Sequence, residues 1–244
     1  MTRFLILLIF ISHTAICQNN TDKSLVAWYS FEGNSNDLSG HNNNPVYNNT
    51  TYTEDRHGNK NAACYFNGIN NYIQVKNSSS LCPEEITLVA VVKPMGFYNG
   101  LCHNNCILDK GSWDYQPGCY ALRFTAGEYT RGDCKDGDTA HQNFVGIASM
   151  NAGKTSRDFY VTPNTWYHVV YTYNKQYCRL YLDGELVTSY TSTYKIGKNK
   201  QDLFLGKKDN TQYPYWFNGV IDELRIYNRS LSGDEVADLY TQLK

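Results

Sequence analysis

The chain has 244 residues, with 22 Lys and Arg against 23 Asp and Glu, a formal charge of −1, and 41% hydrophobic residues. A charge this near balance excludes the basic footprint that nucleic-acid binding requires. The length is enough for one sizeable core and is typical of a single large all-β domain.

Residues 1–17 read as a secretory signal. Arg3 gives a short basic start, and Phe4–Ile11 is an apolar run too short to span a bilayer. Ala15-Ile16-Cys17 places small residues at both cleavage-defining positions, so the mature chain is expected to span residues 18–244. No later stretch is apolar enough to cross a membrane. The expected product is secreted, extracellular and not membrane-inserted.

Short strand-like runs then recur between turn residues, the signature of a sandwich. They are expected at Leu25–Phe31, Ala63–Phe66, Tyr72–Val75, Ile86–Lys93, Cys106–Asp109, Cys119–Thr125, Phe144–Ser149, Trp166–Tyr173, Cys178–Leu182, Glu185–Tyr190, Leu203–Gly206 and Val220–Tyr227. Asp183-Gly184 is a two-residue hairpin signal. Ser232-Gly233-Asp234-Glu235 is a capping box, and Val236, Leu239, Tyr240 and Leu243 follow at helical spacing. The expected architecture is a two-sheet antiparallel sandwich closed by a short C-terminal helix.

Seven cysteines remain of eight once Cys17 is removed: Cys64, Cys82, Cys102, Cys106, Cys119, Cys134 and Cys178. In an oxidising compartment disulfides are the default expectation, and the odd number leaves a cysteine unpaired or bonded to another chain. A disulfide-linked or non-covalent oligomer is therefore admitted. Four of the seven fall between 102 and 134, marking residues 95–143 as a stapled excursion. Cys102-x-x-x-Cys106 lacks a second cysteine pair for a zinc site. Five sequons begin at Asn19, Asn48, Asn49, Asn77 and Asn228, relevant only in a eukaryotic source.

The late strand Val220–Tyr227 carries a peculiarity. By alternation Val220, Asp222, Leu224 and Ile226 share one face, and a carboxylate on an otherwise apolar face is costly unless a cation or several hydrogen bonds compensate it. Glu32-Gly33-Asn34-Ser35-Asn36-Asp37-Leu38-Ser39-Gly40, near the start of the chain, is a turn dense in oxygen donors. Two ends of the chain meeting around one hard cation would explain both segments; the plain alternative is that Asp222 caps backbone amides and Asn34–Gly40 is a turn.

Four motifs carry a family resemblance. They are Leu25-Val26-Ala27-Trp28-Tyr29-Ser30-Phe31-Glu32-Gly33-Asn34 through Asp37-x-Ser39-Gly40; Ala63-x-Tyr65-Phe66-Asn67-Gly68 with Tyr72-Ile73-Gln74-Val75; Trp166-Tyr167-His168-Val169-Val170 with Leu180-Tyr181-Leu182-Asp183-Gly184; and Phe217-Asn218-Gly219-Val220-Ile221-Asp222-Glu223-Leu224-Arg225-Ile226-Tyr227-Asn228-Arg229 with the capped helix. In this order they resemble the LamG-like jelly-roll domains of the concanavalin A-like lectin/glucanase superfamily. The cysteine-bearing region 95–143 departs from the pattern. The resemblance implies a jelly roll with bound calcium near the meeting of first and last strands. It places Asp37 and Asp222 as carboxylate ligands, Gly33 or Ser39 as carbonyl donors and Asn34 as an amide donor. An all-oxygen set suits calcium. It also implies a non-catalytic module that binds a glycan, or a cell-surface or matrix glycoprotein.

Aromatic residues point the same way, because sugar C–H faces pack on rings while hydroxyls seek polar groups. Trp113 and Tyr115 flank the turn before Gly118, and Tyr213, Tyr215 and Trp216 crowd the loop before the last strand. These five are the candidate glycan contacts, with rim packing the alternative. Trp28 and Trp166 are assigned to the core. A retaining glycosidase needs two carboxylates about 5–5.5 Å apart. No Glu-x-Asp or Glu-x-Glu falls on an expected strand, so the chain reads as non-enzymatic. His168, on the strand face with Trp166 and Val170, reads as a satisfied interior histidine. Asp133–Asp138 lacks the full EF-hand pattern, and Arg131-Gly132-Asp133 is a tripeptide common by chance. The expected function is a secreted, calcium-stabilised, lectin-like module. The rival is an adhesion or structural module with a protein partner, and a glycoside hydrolase is the third class.

Overall fold

Among the described residues, period-2 alternation resolves into fourteen strands, joined by a short 3-10 turn at Ser79–Leu81 and followed by one α-helix. The computed structural model describes residues 22–99, 104–111, 117–126, 142–148, 160–192 and 195–244. In chain order the strands are β1 (Leu25–Tyr29), β2 (Pro45–Asn48), β3 (Thr51–Thr53), β4 (Ala63–Asn67), β5 (Ile73–Val75), β6 (Ile86–Gly96), β7 (Asn105–Lys110), β8 (Tyr120–Ala126), β9 (Gln142–Ala148), β10 (Tyr167–Tyr173), β11 (Tyr177–Leu182), β12 (Glu185–Thr191), β13 (Leu203–Leu205) and β14 (Asn218–Tyr227), followed by helix α1 (Gly233–Leu243). One sheet runs β12-β11-β10-β6-β14-β4-β3, with β1 also on β14; the other runs β2-β5-β13-β7-β8-β9. All pairings are antiparallel. The jelly-roll expectation holds. Strands β2 and β3 go unforeseen because Pro-Val-Tyr-Asn and Thr-Tyr-Thr are short, polar and exposed or half-buried.

The core lies between the sheets. Leu88, Ala90 and Val92 of β6 face Leu108, Leu122 and Leu203 from the other sheet's side of the same cluster. A run of edge-to-face rings crosses it: Phe66 to Phe217 at 5.8 Å, Phe217 to Phe124 at 6.1 Å, Phe124 to Phe144 at 5.7 Å and Phe144 to Tyr167 at 5.3 Å. Each such ring contributes ~1.5–3 kcal/mol by burial, and its geometry adds roughly 0.5–1.5 kcal/mol. Gly146 of β9 lets the sheets close: a β-carbon there would stand 1.9 Å from the Tyr171 ring of β10.

The outward face of the eight-stranded sheet is covered by α1. Val236, Leu239 and Leu243 bury against Val89, Val91 and Val170, with Trp28 and Trp166 packed beside them. The capping box forms as expected: Ser232 Oγ accepts from the Glu235 amide, and the Glu235 carboxylate accepts from the Ser232 amide. Among the described residues no helix is long and apolar enough to cross a membrane.

Three expectations change. Simple alternation along β14 breaks at a β-bulge, because Ile221 pairs with Val92 and Glu223 with Val91, leaving Asp222 extra. Ile221, Leu224 and Ile226 therefore share the core face, and Asp222 is not among them. The disulfide framework is absent at Cys64, Cys82 and Cys178, which are free thiols. Cys64 and Cys178 instead fill the core. Cys102 and Cys134 lie outside the described residues. Finally, His168 is interior but unsatisfied: neither ring nitrogen has a protein partner.

Candidate functional site

First and last strands do meet. On one edge of β14, residues Asn218–Ile221 pair with β4 and Leu224–Tyr227 pair with β1. Asp222 sits at the handover, beside the bulge. Into this gap comes Arg56, from the turn between β3 and β4. Its backbone amide and its Nη1 both donate to Asp222 Oδ2, at 3.1 and 2.5 Å. Its Nε donates to the Leu243 carbonyl at 2.6 Å, tying the helix end to the sheet. Burial raises the Asp222 pKa, and the hydrogen bonds and charge of Arg56 oppose that rise. The neighbouring Glu223 is held by Arg225 Nε at 2.6 Å and by the Trp28 indole N–H, while the Arg225 guanidinium stacks 4.7 Å from the Trp28 ring.

Two of the other expected calcium ligands, Asp37 and Asn34, also accept hydrogen bonds from protein groups. Asp37 Oδ1 accepts from the Trp28 and Ser39 amides, each at 2.9 Å. Its Oδ2 accepts from Ser39 Oγ at 2.9 Å and from the Asn43 amide at 2.8 Å. Asn34 Oδ1 accepts from the Asn36 amide, and Gly33, at φ 69°, donates to the Phe31 and Asn61 carbonyls. Among the described residues no three His, Cys, Asp or Glu side chains are grouped to hold a metal. The donor set does not fit calcium as it stands: Arg56 already supplies the positive charge beside Asp222, and four protein donors fill Asp37.

The aromatic candidates part company. Trp113 and Tyr115 lie outside the described residues. Tyr215, at φ 49°, is buried. Its ring lies 5.8 Å from the guanidinium of Arg123 and 6.4 Å from Tyr98. Arg123 is itself buried and pairs with Asp109 at 3.4 Å. Tyr213 is half-buried, 6.2 Å from Tyr215. Trp216, next in sequence to Tyr215, joins a different group.

That group stands on the outward face of the six-stranded sheet. Ile73, Val75, Leu203 and Leu205 point into the core, so Tyr72, Gln74 and Phe204 point away from it. Register aligns Tyr47, Gln74 and Phe204 across β2, β5 and β13. Tyr47 stacks on Tyr72 at 4.6 Å, and Tyr72 meets Phe204 at 6.0 Å and Trp216 at 6.3 Å. The Lys207 ammonium lies 4.8 Å from the Tyr72 ring, 4.9 Å from Phe204 and 5.5 Å from Trp216. Burial lowers its pKa, opposed by Asp209. Tyr47 is 42% exposed, and Tyr72 and Trp216 are half-buried. The result is a ring platform with a cation at its centre. Tyr47, Tyr72 and Lys207 were not singled out by sequence, although Tyr72 shares a strand face with Gln74 by alternation.

No curated protein matches the sequence. Domain 4 of AbnA, a GH43 extracellular arabinanase from Geobacillus stearothermophilus, in complex with arabinotriose, superposes with TM-score 0.63 at 19% identity, covering 89% of this chain and 98% of that one. The binding domain of Paraclostridial Mosquitocidal Protein 1 gives 0.62 at 19% identity, and the binding domain of botulinum neurotoxin serotype D gives 0.60 at 15%. These cover 90% and 91% of this chain, which spans about half of those domains, 52% and 51%. The family model described as concanavalin A-like lectin/glucanases superfamily (Laminin_G_3) matches residues 66–237. With two antiparallel sheets, strands β1 and β14 side by side and this match over most of its length, the chain belongs to the concanavalin A-like lectin/glucanase superfamily.

Proposed function

We propose that the protein is an exported, non-catalytic module that binds glycans on the Tyr47–Tyr72–Trp216 platform. The observation that carries this reading is the cluster itself: three partly exposed rings with a cation among them, on the outward face of a sheet. Flat apolar faces of a sugar stack on such rings, and Lys207 offers hydrogen bonds to its hydroxyls. The arabinotriose complex of the GH43 domain is consistent with a glycan ligand for this fold.

Three of the buried carboxylates support the non-catalytic part of this reading. Asp109, Asp222 and Glu223 are each paired with an arginine, at 3.4, 2.5 and 2.6 Å. Glycoside hydrolysis requires two carboxyl groups free to face the scissile bond. Export rests on residues 1–17. Calcium is left out of this reading because Arg56 is paired with Asp222 and four protein donors already meet the Asp37 carboxylate. Affinity per site is weak, because two or three rings on a shallow face bury little area; useful binding comes from several copies acting together.

The test is a glycan array on the folded protein, with and without chelator, beside the variants Trp216→Ala and Tyr72→Ala. Binding to one sugar family, lost at least ~10-fold in both variants while Tm holds, supports the proposal; tenfold is about 1.4 kcal/mol. Absence of any glycan signal from folded protein overturns it and directs the search to a protein partner.

A further inference from the structure

A cleft of about 260 Å³ opens beneath α1, on the outward face of the eight-stranded sheet and so on the opposite side of the sandwich from the ring platform. Its floor is His168 of β10, aligned with Val91 of β6. Its walls include Trp166, Tyr240 of α1, Arg56 and Asp183. We infer that this cleft is a second binding site, shaped for one neutral sugar ring.

His168 carries the argument. It is only 4% exposed, yet neither Nδ1 nor Nε2 has a protein partner, and buried polar groups are rarely left so. The backbone of His168 is fixed: its amide donates to Asp183 Oδ1 at 2.9 Å, and its carbonyl accepts from the Asp183 amide at 2.8 Å. Asp183 thus pins the backbone that carries the ring, while both ring nitrogens are without a protein partner. Burial, with Arg225 and Arg56 nearby, pushes its pKa down to about 4, so at neutral pH it offers one N–H donor and one lone pair. A hydroxyl group both donates and accepts, so a single sugar hydroxyl can pair with either ring nitrogen; the two nitrogens point apart, and one hydroxyl serves one of them.

The walls set the class of ligand. Tyr240 lies 5.6 Å from the His168 ring at a 31° tilt, and Trp166 adds a second aromatic wall for an apolar C–H face. Arg56 spends Nη1 on Asp222 and Nε on the Leu243 carbonyl. An anion would also meet the Asp183 carboxylate. The other ionisable groups lining the cleft are His57, Tyr167 and Lys244. The volume is just below the range of roughly 300–1,000 Å³ for drug-sized pockets and admits one ring. This site stands on its own residues whether or not the platform binds.

The test is a titration of the intact protein with a panel of methyl glycosides, and separately with sodium sulfate, followed by the ring nitrogen resonances of His168. At least one glycoside is expected to shift them saturably, at roughly millimolar concentration as befits a single ring. Tyr240→Leu should weaken that response at least ~10-fold, and Trp216→Ala should leave it unchanged. The wild-type titration decides by itself if Tyr240→Leu fails to fold. No shift with any glycoside, a shift with sulfate alone, or a response abolished by Trp216→Ala overturns the inference. Loss of platform binding with the His168 response intact would instead count only against the platform.

Discussion

Arg56 reaches a single oxygen of Asp222 twice, through its backbone amide at 3.1 Å and its guanidinium at 2.5 Å. One residue thus supplies both a hydrogen bond and a charge to the one carboxylate left over at the β14 bulge. The Asp222 side chain is 3% exposed and that of Arg56 18%, so the pair is only lightly screened.

Removing the cation should therefore be expensive. Arg56→Gln leaves Asp222 buried without its counter-charge, and breaking a buried pair in this way costs ~3–5 kcal/mol. Urea denaturation should show the loss at unchanged slope. Added calcium should leave the wild-type Tm where it is. A calcium-induced rise in wild-type Tm would mean that the guanidinium gives way to the ion.

Acid should weaken the fold through His168. Its pKa falls from 6.5 to about 4 on folding, so between those values the unfolded chain binds a proton that the native one does not. The contribution is full above about pH 6.5 and is lost as pH falls towards 4, to an extent of ~3 kcal/mol at about 1.36 kcal/mol per unit. Asp222 and Glu223, whose pKa values burial raises, act in the opposite sense and favour the acid side. The difference between wild type and His168→Gln isolates the histidine: the two stability curves should diverge between pH 4 and 6.5, and parallel curves would refute the assignment.

Gly146→Ala should be destabilising by ~1–3 kcal/mol, since its methyl group would collide with the Tyr171 ring. Coupling to Tyr171→Leu in a double-mutant cycle should recover part of that cost. Strict additivity would show that the two sheets move apart instead.

Thiol reactivity should separate three cysteines. Burial pushes the Cys64 thiol up to about 12 and raises that of Cys178. Cys82 is half-buried, with the Lys110 ammonium 3.6 Å from its sulfur. Alkylation of native protein, mapped by mass spectrometry, should label Cys82 ahead of the other two.

How much of this could be read from residues alone depends on what local pattern encodes. Apolar residues on both faces of Ile86–Lys93 and Trp166–Tyr173 mark central strands, because both faces of the sheet are packed there. Alternation misplaces Asp222, since a bulge leaves no trace in residue order and reverses every face beyond it. Ser232 and Glu235 announce the helix because a capping box is local. Arg56 does not announce itself: an arginine in a polar turn has no periodicity, and its partner lies 166 positions away. Tyr215 and Trp216 look alike in sequence, but adjacent residues leave the backbone in different directions, and only Trp216 reaches the platform.

Strand β14 borders β6, β4 and β1 at once. The eight-stranded sheet therefore has no centre until residues 218–227 leave the ribosome. Until then β1, made almost two hundred residues earlier, has no partner in the sheet. Long-range pairing of this kind makes for slow folding and leaves strand edges open to other chains. The sheet should assemble only after residues 218–227 have emerged, and a chaperone that shields open edges during that interval would raise the yield of folded protein.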